Sequence, residues 1–449
     1  MRSSLPKMLH PVCGRPMVAW PILAAREGTG AEWVTAIVSP ERDLVSGLPD
    51  KVRIVTQPEP DGTAGAIRAA LPLIRESETV LVLSGDHPLI SAETISGLLA
   101  AHEEAGAAAT VMTAVLEDPG SYGRIVRDER GDLARIAEAK APSDATPEEL
   151  EIREVNAGTY AFAAAPLADA LERIGNDNAQ GEYYLGDVLP LMREAGLRVA
   201  VHAAPDTTVM LGVNTRADLA AAEAEARRRI LEDHMLAGVT VVDPGSTWVE
   251  ADVEIAADAR IEPGTSLLGQ TEIGAGSTVG PLTTLIDAKI GEDVSVPHSY
   301  LISCEARDGA TVGPFAYLRP DAVLEPGAKA GSFVEIKNSR IGEGAKVPHL
   351  AYVGDAEIGA RSNLGAGTIT ANYDGLRKHR TVIGADARIG VDTMLIAPVE
   401  VGDSAYTGAG AVIQDDVPEG ALALSQNDQR NIEGYAERKA AEMREKEGS

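Results

Sequence analysis

The sequence predicts a chain in two parts, a doubly wound α/β domain followed by a parallel β-helix of hexapeptide repeats. Three observations lead there. Aliphatic residues recur at every sixth position through Ile255, Ile261, Leu267, Ile273, Val279 and Leu285. The period resumes at Val312, Leu318, Leu324, Ala330 and Ile336, and again from Ile383 through Ile389 and Leu395 to Val401. A six-residue period is the mark of a β-helix, in which one side chain per short strand points inward and each coil is covered only by its neighbours. Before residue 215 the pattern is different, with apolar strand segments alternating with helical ones, which predicts a mainly parallel sheet.

Taken in order, the predicted strands are Trp33–Val38, Val52–Thr56, Thr79–Leu83, Thr110–Val115, Val155–Phe162 and Leu197–His202. Helices are predicted between them at Pro16–Glu27, Thr63–Glu76, Ala92–Ala105, Pro166–Ile174 and Tyr183–Ala195. Residues 215–237 read as a charged linker helix, opened by a capping box over Thr215–Asp218 and stopped by Gly238. The helix is expected to be solvated. The β-helix domain is expected over 238–449, ending in a charged tail from Glu433 that forms a short helix or arm.

Composition excludes several classes. The chain has 449 residues, 44% hydrophobic and 24% charged, which is globular rather than disordered. Aromatics are only 4%, as suits rungs with space for one aliphatic side chain. A net charge of −28 disfavours nucleic acid as a partner. No apolar run is long enough for a membrane span. The two cysteines, Cys13 and Cys304, make no disulfide framework, which fits a reducing, cytoplasmic setting.

In an α/β sheet, ligands gather beyond the carboxyl ends of the strands. Ser84-Gly85-Asp86 follows such a strand. A carboxylate there commonly only caps the next helix, and Pro88 and Ser91 permit that reading. Other residues favour a site. Lys7 lies in a polar loop, Gln57 ends a strand, Gly62-Thr63 opens a helix, and Asn214 precedes the linker helix. A carboxylate and an amide oxygen, Asp86 and Asn214, are hard ligands of the kind Mg²⁺ takes. In the β-helix, Arg319, Lys337 and His349 stand out. The stretch Pro348–Tyr352 departs from the glycine-rich corners, and Thr370–Arg380 interrupts the repeat. Insertions in solenoids map to one face, often the binding face.

These segments carry a resemblance. Ser4-Leu5-Pro6-Lys7, Ser84-Gly85-Asp86, Tyr122-Gly123-Arg124-Ile125, Glu154–Gly158, Gly212-Val213-Asn214 and Gly365–Gly375 are similar to motifs of the bifunctional bacterial N-acetylglucosamine-1-phosphate uridyltransferase/glucosamine-1-phosphate acetyltransferase family. The match covers essentially the whole chain. It implies a Rossmann-like nucleotidyltransferase domain over 1–214 and a left-handed β-helix acetyltransferase domain. The implied reactions are acetylation of glucosamine-1-phosphate by acetyl-CoA, then UMP transfer from UTP. Together they make UDP-N-acetylglucosamine for cell-wall and lipopolysaccharide precursors. The resemblance casts His349 as general base. Arg319, Lys337, Tyr352 and Asn363 would hold the sugar phosphate, and Ala366, Asn372, Tyr373, Val391, Ala409 and Gln426 the acetyl-CoA. For the nucleotidyl site it implies Lys7 on phosphate and Ser84, Gly85 and Asp86 at the strand end. Gln57, Gly62 and Thr63 would hold uracil, and Gly123, Glu138 and Asn156 the amino sugar. Mg²⁺ would sit on Asp86 and Asn214. A homotrimer is implied as well.

Departures accompany the likeness. The family opens with a strand and a glycine-rich loop, Leu-Ala-Ala-Gly-x-Gly-Thr-Arg, and this sequence starts just after that position, at Met1-Arg2-Ser3-Ser4. The sequence is therefore expected to lack that strand and loop, so that the alternative is an acetyltransferase with a disabled nucleotidyl domain. Gly62-Thr63-Ala64-Gly65 stands where the family has Gly-Thr-Gly-His, and Gln426, with Arg430 nearby, stands where it has arginine. Two further readings compete. One is a trimeric β-helix carbonic anhydrase with zinc held by histidines across subunits, His298, His349 and His379 being the candidates. The other is a binding rod, which a repetitive charged or threonine face would favour; no such face is expected from the sequence.

Overall fold

The computed structural model describes residues 1–40, 44–139, 145–176, 181–425 and 431–447. The chain forms two compact units, Met1–Ile230 and Leu231–Ser449.

The first unit opens with a small hairpin, β1 (Pro11–Val12) and β2 (Arg15–Pro16), and helix α1 (Ala19–Thr29). Strands β3 (Val34–Val38) and β4 (Val52–Thr56) pair in parallel as a sheet of their own. The predicted helix from Thr63 is broken at Ala70 into α2 (Thr63–Ala69) and α3 (Leu71–Arg75), with Pro72 in the first turn of α3. There follow β5 (Thr79–Val82), α4 (Ala92–Ala105), β6 (Ala109–Val115), β7 (Arg124–Arg127), β8 (Leu133–Ala137), α5 (Pro147–Leu150), β9 (Glu154–Ala163), α6 (Ala164–Arg173), α7 (Val188–Glu194) and β10 (Val199–Ala203).

The larger sheet corrects the mainly parallel expectation. Its order is β10-β6-β9-β7-β8, with β5 also on β9, and only β10–β6 is parallel. The ten-residue β9 is the spine, antiparallel to β5, β6 and β7. Alternation of strand and helix misled here because the stretch between Thr110–Val115 and Val155–Phe162, where no helix is predicted, holds the β7–β8 hairpin and the single turn α5. It crosses no sheet face, so the chain can return antiparallel. Helix α6 buries Ala164, Leu167, Ala168, Ala170 and Leu171, spaced as one face of a helix, beside Phe162 and Val111 of the sheet. Each such leucine contributes about 1.5–3 kcal/mol when fully buried.

Helix α8 (Arg216–Leu236) starts at the expected capping box. Asp218 N donates to Thr215 Oγ1 at 3.1 Å, and Thr215 N donates to Asp218 Oδ2 at 2.7 Å. The helix is not solvated all round. Leu219, Ala222 and Ala226 are buried, and Cys13 N donates to Glu223 Oε1 at 3.2 Å. Small side chains at that spacing let the helix pack closely, which its charge content obscured.

The second unit is a three-sided stack of parallel strands with sheets of eleven, ten and nine strands. The first sheet runs from Thr240–Val241 to Leu422–Ala423, the second from Trp248–Val249 to Val412–Ile413, and the third from Glu254–Ile255 to Val399–Val401. The inward column is aliphatic throughout: Ile261, Leu267, Val279, Leu285, Val296 and Leu301 are fully buried. The apparent slip of phase after Leu285 is no break in the repeat. The steps from Leu285 to Ile290 and from Val296 to Leu301 are one residue short, yet Leu285 pairs with Leu301 and Ile290 with Ala306. The short steps are taken up at corners, where non-glycine residues such as Asp287 and Ser303 adopt positive φ.

The third sheet carries the charged column that the sequence was not expected to show. Glu254, Glu272, Lys289 and Glu305 stand in register, and Arg340 and Glu357 follow. Lys289 pairs with Glu272 at 3.0 Å, and Arg307 and Arg340 both reach Glu325. Both signs occur along the column, so the face carries no single-sign field, and each exposed pair is worth about 0–1 kcal/mol. The tail forms helix α9 (Tyr435–Glu447).

Candidate active sites

In the first unit, residues far apart in sequence converge beyond β5. The Lys7 ammonium donates to Asp86 Oδ2 at 2.6 Å and to Asn214 Oδ1 at 2.7 Å. Lys7 is set there by a short 3-10 turn, Lys7–Leu9. Asn214 is fixed by the capping box, since its N–H donates to Asp218 Oδ2 at 2.9 Å. Asp86 caps no helix. Ser91 does that for α4, accepting from Thr94 N at 3.2 Å. Gly85 lies against Met8, and Ser84 donates to Gly158 O on β9 at 3.4 Å.

Two further corners flank this centre. In one, Gln57 donates its amide to Asp61 Oδ1 at 2.9 Å and Gly62 O at 3.2 Å. Gly62 has φ +111°, and a Cβ there would lie 2.5 Å from Tyr183 O, so only glycine fits. Thr63 Oγ1 accepts from Leu185 N at 2.9 Å. The expectation that amides at the start of α2 stand open for a ligand is corrected in part, because Ala64 N donates to Tyr183 O. In the other corner, Asn156 N donates to Gly123 O at 2.9 Å, and its side chain bridges Tyr160 Oη and Gly158 N. Glu138 Oε1 lies 3.7 Å from where a Gly123 Cβ would be.

Several residues around these corners were not singled out from the sequence. Arg124 is buried, and its guanidinium donates to the carbonyls of Gly120, Tyr122 and Leu150, which shapes the loop carrying Gly123. Asp187 has its pKa raised by burial and then by Glu138. His87, packed beside Gly212, has its pKa lowered by burial.

In the β-helix, register sorts the expected residues into two columns on opposite edges of the second sheet. Continuing the strand register places His349 above Ala366, Val391 and Ala409 at the edge shared with the first sheet. Backbone bonds from Asp392 N to Ala366 O and from Gly410 N to Val391 O agree. Asn363 stands on the first sheet beneath Lys346. His349 is exposed, and its ring makes no hydrogen bond to another described residue.

At the other edge, Arg319, Lys337, Gly354 and Ala371 stack in register, with Asp355 and Asn372 beside them. Arg319 pairs with Glu335 at 2.7 Å. Asn372 donates to Asp355 Oδ2 at 2.5 Å and approaches Tyr352 Oη at 3.4 Å. Gly354 makes the space, because a Cβ there would lie 2.7 Å from Asn372 Nδ2 and closer still to the Tyr352 hydroxyl. Lys378, from the insertion, was not foreseen. It stands beside Lys337 and holds that pKa below the usual lysine range. Tyr373 is exposed, its hydroxyl turned back to Gly375 O. Gln426 and Arg430 lie outside the described residues.

Among the described residues, no three His, Cys, Asp or Glu side chains converge on one point. His298 lies against Phe315, and His379 is held by Asp374 at 2.6 Å.

Comparison with known proteins accounts for both units. The family described as nucleotidyl transferase matches residues 2–207. The Bifunctional protein GlmU of Kineococcus radiotolerans is 49% identical over 441 residues, covering 97% of this chain and 89% of that protein. Those of Mycobacterium marinum and Mycobacterium tuberculosis are each 46% identical, over 98% of this chain and 90% of theirs. The chain belongs to the bifunctional GlmU family. Its N-terminal unit is a nucleotidyltransferase domain, and its stacked sheets are the family's left-handed β-helix. No helix among the described residues is long and apolar enough to cross a membrane.

Proposed function

We propose that the β-helix acetylates glucosamine-1-phosphate and that the N-terminal unit transfers UMP from UTP to the product, releasing pyrophosphate and giving UDP-N-acetylglucosamine. The observation that carries this reading is similarity to a bifunctional relative along 97% of the chain, through both units. The acetyltransferase-only alternative is not favoured, because the nucleotidyl transferase match runs over residues 2–207. The binding-rod reading falls to the same similarity, although the charged face exists. The setting we infer is cytoplasmic.

In acetyl transfer, His349 accepts a proton from the substrate ammonium. The free amine attacks the thioester carbonyl, and as the adduct collapses the C–S bond breaks and a remaining ammonium proton passes to the departing sulfur, so that coenzyme A leaves as the thiol. The His349 ring is exposed and makes no hydrogen bond to another described residue, so it can accept that first proton. Ala366, Val391 and Ala409, stacked in register below it, receive the acetyl-CoA, together with Asn372 and Tyr373 from the opposite edge. Arg319 and Lys337 take the phosphate, with Lys378 as a third cation, while Tyr352 and Asn363 contact the sugar. These groups lie on opposite edges of one sheet. We therefore infer that His349 of one copy faces Lys337 of another, in a homotrimer.

In uridylyl transfer, the phosphate of N-acetylglucosamine-1-phosphate attacks the α-phosphorus of UTP. Gln57, Gly62 and Thr63 hold uracil, and Gly123, Glu138 and Asn156 the amino sugar, with Ser84 and Gly85 shaping the strand end between them. Asp86 and Asn214 fit a divalent cation such as Mg²⁺, since their oxygens already converge on one positive charge, that of Lys7. When bound, Mg²⁺ supplies charge neutralisation at the phosphates. Lys7 then steadies the phosphates.

Assaying both reactions on separate variants tests the assignment. His349→Ala is expected to lose acetyl transfer by about 10²–10⁴-fold and to keep uridylyl transfer. Asp86→Ala is expected to do the reverse. Acetyl transfer within a few-fold of the parent in His349→Ala would remove His349 as the base.

A further inference from the structure

Lys7 is placed to do more than meet a phosphate. Its ammonium binds the same two oxygens, Asp86 Oδ2 and Asn214 Oδ1, that a divalent cation would need. Both distances are those of short, charge-assisted hydrogen bonds. An ammonium and a metal ion cannot occupy one position between the same two ligands. We propose that Lys7 is an exchangeable counter-ion: a divalent cation enters by displacing the ammonium from Asp86 and Asn214, and the released lysine is taken by the nucleotide phosphates. This inference rests on the reading of Asp86 and Asn214 as the cation ligands.

Exchange has a thermodynamic consequence. With Lys7 in place, a cation entering alone must break two bonds and leave the ammonium beside a second positive charge. With nucleotide present, the phosphates accept the lysine. Metal and nucleotide therefore strengthen each other's binding, and linkage makes the effect reciprocal. The surroundings permit the swing. Lys7 sits in a turn of three residues, and its side chain keeps 22% exposure, so it has a path to solvent.

Two measurements on the full chain test the exchange. The first is Mn²⁺ binding without nucleotide, followed by electron paramagnetic resonance. Lys7→Met is expected to bind Mn²⁺ at least about fivefold more tightly than the parent, the lower end of ordinary coupling strengths. Equal or weaker binding overturns the proposal. Removing a positive charge could tighten the metal without exchange, so the second measurement reads the lysine itself. Brief acetic anhydride labelling followed by mass spectrometry is expected to show Lys7 reactivity rising on Mg²⁺ addition and falling again with a non-hydrolysable UTP analogue. Labelling indifferent to Mg²⁺ overturns exchange even where Lys7→Met tightens Mn²⁺. Asp86→Asn separates the two levels. If it binds Mn²⁺ as well as the parent, the ligand assignment itself fails and the exchange with it. If it loses Mn²⁺ while Lys7 labelling in the parent stays unmoved by Mg²⁺, only the exchange fails.

Discussion

Lys337 shows how much one neighbour decides. Lys378 is the largest influence on it and lowers its pKa, with burial adding in the same direction and Asp355 opposing. Lys337 therefore sheds its proton at a lower pH than an ordinary lysine. Phosphate binding needs the charged form, so affinity for glucosamine-1-phosphate is expected to decline earlier than usual on the alkaline side. Lys378→Met removes the repulsion. The decline in affinity is then expected to move to higher pH, while binding at neutral pH weakens for want of a cation. KM for glucosamine-1-phosphate between about pH 7 and 10, a span below the usual lysine pKa, shows this. An unmoved alkaline limb would mean that Lys337 does not carry the phosphate contact. Lys378 was hidden in the sequence because the insertion Thr370–Arg380 offers four basic residues, Arg377, Lys378, His379 and Arg380, and nothing local marks which returns to Lys337. Lys7, Asp86 and Asn214 were legible as individuals. What could not be read was that one ammonium joins the other two, since the contacts span 79 and 207 residues of chain.

At the scale of elements, the six-residue period made the β-helix legible because only one side chain per strand is constrained to be aliphatic. The corners were less so. A short step hides the period, and register, not spacing, then tells which residues stack. That is why His349, Ala366, Val391 and Ala409 read as scattered positions and fold as one column. In the N-terminal unit the hairpin β7–β8 was missed. Its apolar residues, Ile125, Val126, Leu133 and Ile136, are interleaved with Arg127, Asp128, Glu129 and Arg130, so no run stood out. Gly354 tests whether the second sheet's edge is built around an opening. Adding a methyl there meets Asn372 and Tyr352. Overpacking of this kind costs about 1–3 kcal/mol, but at an edge the Tyr352 and Asn372 side chains can move outward instead. Gly354→Ala is expected to retain the fold by circular dichroism and to lose glucosamine-1-phosphate affinity tenfold or more, about 1.4 kcal/mol. Unchanged KM would show that Tyr352 and Asn372 do not border the sugar-phosphate site.

At the scale of the whole molecule, the proposal that both columns serve one site calls for a second copy, and the β-helix carries a surface that fits one. At successive coils, one corner presents Leu282, His298, Phe315, Phe333 and Leu350, each with positive φ, bonded backbone to backbone from coil to coil. Phe315 and Phe333 stack at 5.4 Å between ring centroids, and Leu282, Phe315, Phe333 and Leu350 are 55–68% exposed. A chain with so few aromatics places two of its three phenylalanines in this one exposed column. Below Leu350 the corner continues as Gly367, Asp392 and Gly410. The apolar ladder thus ends beside His349, where the column of small residues begins. A contact along the ladder would bury apolar surface worth about 25 cal/mol per Å² and bring a neighbour's edge to His349. Closed threefold symmetry lets every copy both give and receive that edge. The parent chain is expected to scatter light as a trimer at micromolar concentration. The double variant Phe315→Asp with Phe333→Asp is expected to dissociate and to lose acetyl transfer. It should keep uridylyl transfer, whose residues all lie within Met1–Ile230. A parent that is monomeric, or a monomeric double variant that still acetylates at the parental rate, would show that one copy completes the acetyltransferase site by itself.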